Sequence, residues 1–98
     1  MFDIRLGDNG EVVLTGRLDA AQSPKAQAFL DGLEQPRVID MAALDYISSA
    51  GLGVLMRTQK RLMAGGSGLK LINVNHHIGD IFRFSGFDQI FEITRMGE

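Results

Sequence analysis

The chain contains no cysteine in its 98 residues. That single absence removes disulfide bridges, thiolate zinc sites and cysteine nucleophiles together. It also lacks a field of one charge. Ten Lys and Arg stand against twelve Asp and Glu, for a formal net charge of −2, so nothing would draw in a nucleic-acid backbone or an anionic membrane surface. No apolar run approaches the roughly 20 residues that cross a bilayer. The opening MFDIRLGDNG has an early aspartate and no long apolar core, unlike a signal peptide. Repeats, linkers and low-complexity tracts are missing as well. The expectation left standing is a soluble cytoplasmic domain without membrane insertion, consistent with the missing cysteines of a reducing compartment.

What is present suits one globular domain over residues 1–98. Apolar residues make up 45% and charged residues 22% of the chain, and a chain of this length buries somewhat over ~60% of its unfolded surface without staples. Phe2, Ile4 and Leu6 alternate with Asp3 and Arg5 as in a half-buried strand. Gly7-Asp8-Asn9-Gly10 then predicts a hairpin turn into a second strand through Val12 and Leu14, ending near Gly16. Ser23 and Pro24 read as the cap and first residue of a helix whose apolar face is Ala26, Phe29, Leu30 and Leu33. Val38 and Ile39 open a short buried strand with Asp40 near its end.

From Ser49 the period changes to that of a helix. Leu52, Leu55, Met56, Gln59, Leu62 and Met63 form one stripe, of which Leu52, Leu55, Met56, Leu62 and Met63 are predicted to be core. Arg57, Lys60 and Arg61 face away, and Val54 is expected outside the core as an exposed apolar contact. Gly65-Gly66 stops this helix. LKLINV is a further buried strand. Asn75 caps a third helix, ended near Gly86, with Ile78, Ile81, Phe82 and Phe84 turned inward. QIFEIT closes as a short strand. The order ββαβαβαβ predicts an α/β fold with a mixed, mostly parallel sheet and an N-terminal hairpin.

The chemistry-bearing candidates gather where the third strand meets the second helix, the edge that open α/β sheets favour for sites. Ser48 and Ser49 stand there side by side. Nucleophilic catalysis would need a base and an orienting acid within reach, and the G-x-S-x-G elbow is absent because Tyr46-Ile47 precedes the pair. His76 and His77, the only imidazoles, fall at the start of the third helix. One serine is expected to cap the second helix. The other, placed at a helix N-terminus, could carry phosphate. Asp19, Asp40 and Asp45 are candidates for an acidic rim, with no ligand spacing for a metal. Gly51 and Gly53 lack the lysine of a phosphate-binding G-x-x-x-x-G-K-[ST] loop and read as close packing against the sheet or a flat partner surface. No metal or cofactor is expected.

The run VIDMAALDYISSAGLGVLMRTQKRLMAGGSGLKLINVNHHIGDIFRFSGFDQIFEI resembles the STAS domain of the anti-sigma factor antagonists. The likeness rests on the strand ending in aspartate, the aromatic-apolar-Ser-Ser-x-Gly-Leu segment, the basic amphipathic helix, its Gly-Gly stop and the SGFDQIFEI tail. GRLDAAQSPKAQAFLDGL resembles the family's earlier Gly-x-Leu-Asp segment and first helix. The resemblance implies a non-enzymatic partner switch. Its unphosphorylated form would bind an anti-sigma factor that is also a serine kinase, releasing a sigma factor; phosphorylation would end binding, and a serine phosphatase would reverse it. Alignment on Gly51 puts Ser48 where the family has aspartate and Ala50 directly before the glycine. Ser49 is therefore the expected phosphoacceptor, with Ser48 as the alternative. The implied partner surface comprises Asp19, Asp45, Ser48, Ser49, Gly51, Gly53, Val54 and Arg57. Two other readings stay open: a non-phosphorylated STAS adaptor in a larger regulatory complex, and a small-molecule or nucleotide sensor.

Overall fold

The computed structural model describes residues 1–97. Its elements are β1 (Phe2–Leu6), β2 (Val12–Leu18), α1 (Ser23–Asp31), β3 (Val38–Ile47), α2 (Ser49–Ala64), β4 (Lys70–Val74), α3 (His76–Ser85), a 3-10 turn (Phe87–Gln89) and β5 (Glu92–Arg95). The five strands form one sheet in the order β1-β2-β3-β4-β5. Only the β1–β2 pair is antiparallel; the other three pairs are parallel. The α/β class and the mixed, mostly parallel sheet are as the sequence predicted.

The sequential strand order fixes where the helices lie. Each parallel step from β2 to β5 moves the chain one strand in the same direction, and such crossovers are right-handed in about 98% of cases. All three helices therefore fall on one face. The strands carry the matching alternation, with Val12, Leu14, Leu18, Ile39, Met41, Leu44, Ile47, Leu71 and Val74 buried beneath them. On the opposite face Arg17 lies over the Tyr46 ring, 4.3 Å from its centroid. Gly16 lets β2 run past its expected end: its φ is +86°, and a side chain there would meet the Met1 carbonyl, which accepts a 3.0 Å bond from Arg17 N–H.

Several expectations are corrected. The N-cap of α1 is Gln22, without a side-chain cap bond. Ser23 is instead the first helical residue, and its hydroxyl donates to the Asp19 carbonyl at 2.8 Å. β3 runs ten residues to Ile47, so Asp40 lies near its beginning. Twice the pairing slips, between Val13/Thr15 and Gly16/Arg17, and each slip absorbs one extra residue of β3 as a bulge, the second being Asp45. The last strand begins at Glu92 because the Phe87–Gln89 segment turns as a 3-10 helix.

The rotation of α2 is also different. Its buried residues are Gly51, Val54, Leu55, Thr58, Gln59 and Leu62. Val54 is fully buried, whereas Met63 is 57% exposed; Leu52 and Met56 lie half-buried at the margin. The physical reason is Gly51. A methyl group there would sit 2.8 Å from both Ile47 Cγ1 and Leu18 Cγ, so this face must turn to the sheet for the helix to approach so closely. In α3, Phe84 is 81% exposed. The buried face takes Ile78, Gly79 and Phe82, leaving Phe84 outward beneath the Arg83 guanidinium, 5.5 Å from its ring centroid. No helix among the described residues is long and apolar enough to cross a membrane.

Candidate functional site

The parallel crossovers bring the loop before α1 and the N-terminus of α2 to the same carboxyl edge of the sheet. Ser48 N–H donates to the Leu18 carbonyl at 2.9 Å, which pins the start of α2 beside Asp19. Ser48 has extended backbone (φ −88°, ψ 171°), and its side chain accepts from the Gly51 amide as the N-cap at 3.2 Å. One of the first amides of the helix is thereby satisfied. Ser49 opens the helix proper and is exposed. Its hydroxyl makes no bond to another described side chain or backbone group. Two adjacent serines thus do different work: Ser48 holds the helix, and Ser49 is available.

Asp19 is half-buried and occupied locally. Its Oδ1 accepts from the Gln22 amide at 3.0 Å, and its carbonyl accepts from the Ser23 amide at 3.1 Å. This closes the turn into α1 and presses the chain against the α2 N-terminus. Between the two helices runs an open groove of about 410 Å³, lined by Ala20, Ser23, Pro24 and Gln27 on one wall and Ser49, Ala50, Gly53 and Arg57 on the other. Small side chains form most of it. Arg57 stands at its far end, where Nε donates to Gln27 Oε1 at 2.8 Å and Gln27 Nε2 donates to Asp31 Oδ1 at 2.8 Å.

The structure therefore groups Asp19, Ser48, Ser49, Gly53 and Arg57, with exposed Asp45 bulged from β3 just before the serines. It separates three other candidates from the surface. Gly51 is buried beneath the cap, and Val54 is in the core, so neither presents a side chain to a partner. Asp40 pairs with Val13 and Ile47 with Leu18, five residues apart on β2, which puts Asp40 about 17 Å from Ile47 at strand rise, and it accepts from the Ala42 amide at 3.0 Å and Asn73 Nδ2 at 3.1 Å. It locks a bulge and is not part of a rim around the serines. His76 and His77 are exposed at the start of α3, whose N-cap is Asn75 as expected. Among the described residues no three His, Asp or Glu side chains are grouped to hold a metal ion.

Gln27 escaped the sequence reading. The only sign of it was the one-turn spacing to Asp31, since its bond to Arg57 spans 30 residues. Two hollows of about 400 and 520 Å³ lie at the other end of the sheet, around Arg37 and the Gly65–Gly68 turn, away from every serine discussed.

Comparison with known proteins bears on the same region. The family profile described as "Mlab, STAS domain" matches residues 3–95. A candidate anti-sigma factor antagonist of Bordetella bronchiseptica, BtrV, is 35% identical over 89 residues, covering 87% of this chain and 77% of that protein. An anti-sigma factor antagonist structure from Mycobacterium paratuberculosis superposes with a TM-score of 0.80 at 20% identity, covering 96% of this chain and 84% of the other. The Bacillus cell fate determinant SpoIIAA, solved in its phosphorylated form, gives a TM-score of 0.66 at 20% identity over 95% of this chain and 90% of its own.

Proposed function

The chain belongs to the STAS domain family, and on that premise we propose that it is a phosphorylation-controlled partner switch of the anti-sigma factor antagonist kind. Unmodified, the edge formed by the Asp19 loop, Asp45, Ser48, Ser49, Gly53 and Arg57 binds an anti-sigma factor with serine kinase activity and frees its sigma factor. The kinase transfers the γ-phosphoryl group of ATP to Ser49 Oγ. The hydroxyl proton is lost, ADP leaves, and the modified chain no longer binds. A serine phosphatase hydrolyses the ester and restores the first state. The domain is the substrate of this chemistry and not its catalyst.

One observation carries the choice of Ser49: its hydroxyl is exposed at the groove while Ser48 is committed to capping α2. Gly51 and Val54 contribute by fixing the helix from below. The names of the relatives support the partner class, and a structural neighbour known in a phosphorylated form supports the modification. Phosphate adds close to two negative charges at neutral pH to a surface that must become dry on binding. Peptide mapping after incubation with the cognate kinase and ATP is expected to find phosphate on Ser49. Phosphate on Ser48 alone would reassign the acceptor, and none on either serine would remove the mechanism.

A further inference from the structure

We propose that Arg57 receives the phosphate of phosphorylated Ser49, laying it along the groove over Gly53; this rests on the reading of Ser49 given above. Ser49, Gly53 and Arg57 follow at one-turn spacing along α2 and line the same groove. The arginine folds back toward the helix N-terminus. A methyl group on Gly53 would lie 3.2 Å from Arg57 Nη1 and 3.9 Å from its Cζ, so the guanidinium already stands at the level of Gly53, one turn short of Ser49. Cβ positions one turn apart are separated by about 5–6 Å. A phosphoryl oxygen lies two covalent bonds beyond Oγ, which leaves about one hydrogen-bond length, near 3 Å, between it and the guanidinium. Gly53 has no side chain to stand in that corridor.

The arginine is also held ready. Gln27 engages only Nε, and among the described residues Nη1 and Nη2 have no hydrogen-bond acceptor. Two N–H groups of a planar guanidinium match two phosphate oxygens, and the Nε bond to Gln27 need not break. Arg57 is the one cation among the residues lining the groove. The nearby carboxylates are Asp19 on the loop before α1, Asp45 on β3 before the serines and Asp31 at the end of α1, and the last is turned to Gln27. Phosphorylation would then cover the groove's small-residue floor with an Arg57–phosphate pair in addition to changing the charge.

The test installs phosphoserine at position 49 of the full chain during translation, so that no kinase is needed, and follows the phosphate by 31P NMR titration. The second phosphate pKa, ordinarily about 6, is expected about half a unit lower beside Arg57 than in Arg57→Gln, as for an exposed ion pair. The helix N-terminus acts equally on both and drops out of the comparison. Gly53→Val keeps the arginine but fills the corridor, and should titrate like Arg57→Gln; Arg57→Lys should recover part of the shift. The Arg57 guanidinium resonances should move on phosphoserine installation only where the corridor is open. Equal pKa values in the unsubstituted and Arg57→Gln proteins would overturn the proposal and leave the switch reading intact. Failure of a kinase to label Ser49 would do the reverse.

Discussion

Ser48 and Ser49 are chemically the same residue separated by one backbone state. Ser48 is extended, so its hydroxyl can turn back to the Gly51 amide; Ser49 is helical and exposed, and its hydroxyl makes no hydrogen bond among the described residues. The consequence is separable by mutation. Ser48→Ala is expected to lose about 1 kcal/mol of stability, the usual value of an N-cap, in a urea melt, while binding its partner nearly as well as the unsubstituted chain. That one serine would be a cap was readable from the change of period at this point. Which apolar neighbours face inward was not, because the deciding residue, Gly51, has no hydropathy to contribute. Its signal is steric: Leu18 and Ile47 stand too close for any side chain there. Val54 inherits its burial from that contact, and Val54→Glu would probe the core instead of the surface.

At the scale of elements, α2 is the member that others are tied to. Arg61, expected to face away, donates through Nη2 to the carbonyls of Leu30 at 2.9 Å and Leu33 at 3.2 Å, and through Nη1 to that of Glu34 at 3.2 Å. Leu30 is in the last turn of α1 and Leu33 and Glu34 follow it, so the guanidinium ties α2 to the exit of α1. Gln59 does the same work toward the other side. Buried at 5% exposure, it accepts from the Leu69 amide at 2.7 Å and donates to the Ile90 carbonyl at 2.8 Å, joining α2 to the approach of β4 and the turn before β5. Gln59→Ala and Gln59→Met should each cost about 2–3 kcal/mol, because either leaves a buried amide unpaired. Similar losses for both identify hydrogen bonding as the cause; rescue by the bulkier Met would identify packing. The strands and helices were legible because their periods are local. These ties were not, since each joins residues roughly 30 apart in sequence or, for Leu69, across the Gly65-Gly66 stop. Thr58 adds to the difficulty: it is a buried polar residue with no hydrogen-bond partner for its hydroxyl among the described residues, so polarity alone misplaces it outside.

For the molecule as a whole, the strand order gathers the residues of the proposed switch at one edge. Because every parallel crossover runs the same way, α1 and α2 lie side by side on one face, and the loop before α1 meets the start of α2 at a single edge. The candidate edge was legible to this extent: an α/β order predicts that strand ends and helix starts converge, and Asp19 and Ser49 are indeed joined through the Leu18–Ser48 bond. Asp40 was misassigned because β3 is longer than its apolar run suggests, its two bulges breaking the alternation. This geometry also separates the effect of modification on folding from its effect on binding. A negative charge on Ser49 is exposed and sits in the first turn of α2, where the helix dipole favours it by a few tenths to ~1 kcal/mol. Asp19 and Asp45 oppose it, screened beyond roughly 8–10 Å in physiological salt, so within the chain the opposing effects largely offset. At a closed interface they do not, since a charge buried there without a partner costs several kcal/mol. Ser49→Asp is therefore expected to melt within a few degrees of the unsubstituted protein by circular dichroism. In titration calorimetry against its anti-sigma factor partner it should lose at least tenfold in affinity, equivalent to about 1.4 kcal/mol. Ser49→Ala, which removes the acceptor without adding charge, should bind whether or not kinase and ATP are present. A Ser49→Asp protein that unfolds, or one that binds as tightly as the unsubstituted chain, would show that charge at this edge is not what breaks the complex.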